Sequence, residues 1–65
     1  MNINWDLISK SVKFIIIEGD GTEYLLNKRP IEKKGKWFFN KSSIIGFSFY
    51  KHEVTNIDQM MLERP

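Results

Sequence analysis

Tyr50-Lys51-His52 sets an aromatic ring, a cation and the chain's single histidine on consecutive positions, followed by Glu53-Val54-Thr55-Asn56-Ile57. That set of groups complements a nucleotide. A ring stacks on a base, an ammonium meets phosphate, and an imidazole offers a directional hydrogen bond. Upstream, Lys28-Arg29, Lys33-Lys34 and Lys36 form a basic cluster interrupted by Pro30, Glu32 and Gly35. The cluster reads either as a solvated loop or as one that tracks phosphates with salt-sensitive affinity. Catalysis is not expected. Glu53 adjoins His52 but would point to the opposite face of a strand, so it would not orient the imidazole. Ser42 and Ser43 read as turn residues, and no acidic pair has a spacing suited to metal or acid–base work. With no cysteine and one histidine, disulfides are excluded, a zinc site is not expected, and no cofactor is implied.

Sixty-five residues allow one domain, spanning residues 1–65. A chain this short buries only about 60% of the surface its unfolded form exposes, so its core is marginal. Without disulfides or a metal, self-association is the remaining source of extra stability. Five Phe, two Trp and two Tyr would serve a dense core or a subunit interface. Ten Lys/Arg against eight Asp/Glu leave a net charge of +2, compatible with a nucleic-acid partner and opposed to a nucleic-acid mimic. No apolar run approaches the ~18 residues of a membrane span, and residues 1–11 lack the features of a signal peptide. The expectation is a cytoplasmic protein that does not enter membranes.

These groups need a scaffold, and the pattern points to a mainly β one. Residues 2–11 read as a short helix, with Asn2 or Asn4 as cap and Ile3, Leu7 and Ile8 on one face; an amphipathic strand is the alternative. Residues 12–18 are the clearest strand, and Phe14-Ile15-Ile16-Ile17 implies cover on both faces. Gly19-Asp20-Gly21 is a hairpin turn, with Asp-Gly suited to positive φ. It lacks the helix that a phosphate-binding loop requires. Residues 22–27 return as a second strand. Residues 28–36 read as a loop or a strongly bent strand, broken by Pro30 and Gly35. Trp37-Phe38-Phe39 starts a third strand, and 40–43 turn. Residues 44–51 form a fourth, with Gly46 as a bulge or kink. Alternation puts Ile45, Phe47 and Phe49 on one face and Ile44, Ser48 and Tyr50 on the other. Residues 54–62 suit either a helix carrying Ile57, Met60 and Met61 or a fifth, edge strand. The expected architecture is a short N-terminal helix followed by a small, strongly bent five-stranded antiparallel sheet or barrel.

Tyr50-Lys51-His52-Glu53-Val54-Thr55, in a chain of this length and element order, resembles Hfq, the bacterial branch of the Sm-like RNA-binding proteins. That family carries a Tyr-Lys-His-Ala-Ile-Ser type segment before its last strand. Trp37 then falls where the family has an aromatic residue beside its RNA pocket, and Lys36 beside it. Residues 12–19 are similar to the family's first strand. Lys34-Gly35 replaces the family's Phe-Asp, and about five extra residues lie between Gly19 and Trp37. The resemblance implies a small barrel assembled into a homo-oligomeric ring that holds uridine-rich RNA. It implies that Lys51 and His52 contact the uracil edge and backbone, Trp37 stacks on the base, and Lys36 and Tyr50 support the pocket. Without the resemblance, Trp37 is a natural core residue and His52 a surface one.

A fainter likeness runs to small prophage anti-CRISPR proteins. Met1-Asn2-Ile3-Asn4 with Asp6-Leu7-Ile8 is similar to the opening of one such type, and Asp20-Gly21-Thr22-Glu23-Tyr24 to its hairpin. Those relatives are acidic where this chain is basic. This resemblance implies an inhibitor or adaptor that docks on a host protein, with Trp5, Trp37 and Tyr50 as interface anchors.

Overall fold

The computed structural model describes residues 3–48 and 59–65. Among these residues six strands form: β1 (Phe14–Glu18), β2 (Glu23–Leu26), β3 (Ile31–Lys33), β4 (Lys36–Phe38), β5 (Ile44–Ser48) and β6 (Gln59–Glu63). Four make an antiparallel sheet in the order β5-β2-β1-β6, and β3 pairs with β4 as a separate hairpin. The mainly β expectation holds. Neither the single five-stranded sheet nor the barrel does: among the described residues the main sheet has four strands and is open, with β5 and β6 at its edges, because the charged, turn-broken β3 and β4 pair only with each other.

β1 sits inside because its apolar residues are consecutive. Ile15, Ile16 and Ile17 are fully buried. Alternation sends Ile15 and Ile17, with Val12, to one face, where Ile3, Trp5, Ile8, Met60 and Leu62 pack. It sends Phe14 and Ile16, with Leu26, to the other, against Tyr24, Trp37, Phe39, Ile44 and Met61. The N-terminal segment therefore covers one face and the β3–β4 hairpin covers the other. Full burial of a side chain such as Ile15, Ile16, Ile17 or Leu26 contributes about 1.5–3 kcal/mol. Met60 and Met61 lie on opposite faces, as strand residues must. This replaces the helical option for the tail with the edge-strand one over β6.

The expected N-terminal helix is only a 3-10 turn, Trp5–Leu7, capped by the Asn4 side chain accepting from the Asp6 N–H at 3.2 Å. So short a segment does not repay helix nucleation, and tertiary anchors set its path instead. Ile8 is already extended, and Leu7, expected on the inner face, is 84% exposed. Arg64 does the anchoring. Its guanidinium donates to the carbonyls of Val12 (2.6 Å), Ser9 (2.8 Å), Ile8 (3.3 Å) and Trp5 (3.4 Å), and it stacks over the Trp5 ring at 4.8 Å.

Two turns exchange the roles expected of them. In Gly19-Asp20-Gly21 only Gly21 has positive φ, at 93°. The Asp20 carboxylate instead accepts the Thr22 N–H at 2.9 Å, an Asx-type closure of a three-residue loop. That bond also holds the Asp20 carboxyl below its ordinary pKa of 3.8. The tight two-residue turn is Lys34-Gly35, with φ of 51° and 76°, inside the stretch expected to be a loop or bent strand. Lys33 pairs with Lys36 across it.

The Gly46 irregularity is present. Leu25 pairs with Gly46 but Leu26 with Ile44, so β5 carries an extra residue. The bulge shifts the phase of the strand. Ile45 borders a hollow with Leu25 and Val12, whereas Ile44 and Phe47 share the opposite side with Tyr24. The strict alternation that grouped Ile45 with Phe47 is thereby overturned. No helix of the described residues is long and apolar enough to cross a membrane.

Candidate functional site

The β3–β4 hairpin has two unlike sides. Strand alternation puts Glu32 and Trp37, a cross-strand pair, on one side. Trp37 packs there against the cluster of Phe14, Ile16 and Leu26. Its backbone is clamped by one side chain: Gln59 Oε1 accepts the Trp37 N–H at 2.7 Å, and Gln59 Nε2 donates to the Trp37 carbonyl at 3.1 Å. The same Nε2 donates to Glu18 Oε1 at 3.1 Å, tying hairpin, β6 and β1 together.

The other side carries Ile31, Lys33, Lys36 and Phe38, all exposed. Phe38 keeps 53% of its surface in solvent. Beside it, the segment leaving β2 supplies Lys28 and Arg29, and the segment after β4 supplies Phe39, Asn40 and Ser43. With Ile31, Lys33 and Phe38, but not Lys36, they border a hollow of about 630 Å³. Ser43 is buried and closes the wall, donating from its hydroxyl to the Asn40 carbonyl at 2.6 Å. Among the described residues, Lys28, Lys33, Lys34 and Lys36 pair with no carboxylate. Arg29 differs: it meets Glu63 at 2.9 Å and lies 5.0 Å over the Phe14 ring. Both partners of that ion pair are more than half exposed, so it contributes little to stability.

Lys36 and Trp37, read from sequence as neighbours in one pocket, thus lie on opposite sides of the hairpin. Lys36 is exposed and Trp37 is a packing residue. Tyr50, Lys51 and His52 fall outside the described residues. Sequence reasoning missed Phe38 and Asn40 as groove residues. The signal was present in Lys36-Trp37-Phe38, where a period of two places Lys36 and Phe38 together, away from Trp37.

The arrangement offers ammonium groups around an exposed ring. That combination fits a ligand with anionic groups and flat aromatic faces. Among the described residues no group of three or more metal-ligating side chains gathers. No family model matches the chain, and neither a curated protein nor a solved structure matches it.

Proposed function

We propose that the protein binds RNA, with the groove beside the β3–β4 hairpin as the described part of its site. One observation carries the reading: Lys28 and Lys33, without carboxylate partners among the described residues, flank the exposed ring of Phe38 in one hollow. Lysines there meet phosphates, and a base stacking on the ring would contribute about 1–3 kcal/mol. Lys36 adds charge on the same side of the hairpin, and Trp37 acts as the scaffold that holds it. Under the resemblance to Hfq, Tyr50, Lys51 and His52 extend the site, the favoured RNA is uridine-rich, and the setting is the cytoplasm. The same resemblance gives a homo-oligomeric ring. The sheet supports that idea, since among the described residues β5 and β6 are its opposite edges and edge-to-edge pairing is head-to-tail.

Titration of a labelled uridine-rich oligonucleotide against increasing salt tests the proposal. Affinity should fall steeply with salt, and the Lys28→Ala/Lys33→Ala variant should bind about tenfold more weakly with a shallower salt slope. A wild-type protein that leaves the oligonucleotide free at low salt would end this reading. The alternative is an inhibitor or adaptor docking on a host protein, favoured by the exposure of Leu7 and Phe47. Two of its sequence-expected anchors are engaged internally, Trp5 under Arg64 and Trp37 under Gln59.

A further inference from the structure

Phe39 borders two hollows, not one. On its far side a second hollow of about 800 Å³ is walled by Phe39, Tyr24, Ile44 and Phe47. The Tyr24 and Phe39 rings sit 5.2 Å apart at 49°, tilted to each other. Phe47, paired with Tyr24 across β2 and β5, keeps 61% of its surface exposed. The 3-10 turn Lys41–Ser43 separates the two hollows: Asn40 and Ser43 border the basic groove, and Lys41 borders the aromatic hollow. Glu18 and Asp20 also border the second hollow.

We infer that a bound single strand runs past Phe39 into this second hollow, so that the protein holds at least two successive unpaired bases. The inference rests on the groove reading above and adds the path and the class of ligand. Charge decides how a nucleotide enters. Carboxylates repel phosphate and accept hydrogen bonds only, whereas Lys41 attracts phosphate. The base therefore goes inward against Tyr24 and Phe47, toward Glu18 and Asp20, and the phosphate stays at Lys41. A duplex does not fit this path, because its base faces are already stacked on one another.

The test compares a uridine hexanucleotide with a duplex RNA of the same length, binding to the full chain. Wild type should bind the single strand at least tenfold more tightly than the duplex. Phe47→Ala and Lys41→Ala should each weaken single-strand binding several-fold. Lys41→Ala changes an exposed residue, so its result stands even if Phe47→Ala fails to fold. Weakening by Lys28→Ala/Lys33→Ala, together with unchanged binding by Lys41→Ala and Phe47→Ala, would overturn the second subsite and leave the groove. Equal binding of duplex and single strand would overturn it too. No binding by wild type would remove both readings.

Discussion

The two faces of β1 are covered in opposite styles. On one face the N-terminal segment is fastened by a cation that is fully committed: Arg64 donates to four carbonyls and stacks on Trp5. On the other face the hairpin is fastened by a neutral amide, Gln59, and its lysines are left to solvent. Where charge is needed to hold structure, it is spent on backbone carbonyls. Where structure is held by an amide and a packed indole, positive charge and exposed rings remain available to a ligand. The contrast separates scaffold cations from candidate binding cations, which net charge alone does not do.

The largest test of this contrast is Arg64→Met, which keeps an apolar stem but removes every side-chain donor. Urea unfolding should show a loss of about 2–3 kcal/mol, given the usual cost of losing hydrogen bonds to a charged group. Arg64→Lys should recover little of it, because a point charge does not reproduce the planar fork. RNA affinity of the folded fraction should stay unchanged; a parallel loss would blur the division between the faces. A smaller effect is expected from Gln59→Ala. Stability should fall by about 1–2 kcal/mol, and the Trp37 amide should exchange with solvent faster while the β1 amides keep their protection. Uniform acceleration would mean that the hairpin is no more separable than the sheet.

The smallest effect concerns Asp20, on neither fastening. Its folded pKa lies below 3.8, chiefly because its carboxylate accepts the Thr22 backbone N–H. A depressed pKa contributes stability that is present above the unfolded value and lost as pH falls through the folded one. Asp20→Asn should therefore lower the melting temperature slightly at neutral pH and converge with the wild type as pH falls through the folded pKa, which flattens the acid limb of the profile.

Which parts could be read from the sequence follows from how local their causes are. β1 was legible because four consecutive apolar residues demand cover on both sides, and the structure supplies it. The hairpin was not, because Ile31-Glu32-Lys33 and Lys36-Trp37-Phe38 carry too much charge to look like strands. Only the Lys34-Gly35 pair between them marked the turn. Gly46 announced its bulge, but a glycine does not reveal which way the phase of β5 will shift. Arg64 carried no signal, since its partners at Trp5, Ile8, Ser9 and Val12 lie at the far end of the chain. Of the five residues proposed as an RNA site, the structure brings Lys36 to the solvent side of the hairpin and turns Trp37 inward.

The place of β6 beside β1 also sets an order of events in folding. β1 gains β2 through a three-residue loop, but it gains β6 only by closing across the whole stretch of chain from Glu18 to Gln59. Closing a loop roughly tenfold longer costs about 2 kcal/mol more in chain entropy. The central strand thus acquires its two neighbours at unequal cost, the near one early and the distant one late. The Arg64 fastening, one residue beyond β6, joins with the late partner. Slow, topology-limited closure of this kind leaves one edge of β1 open to other chains while folding proceeds.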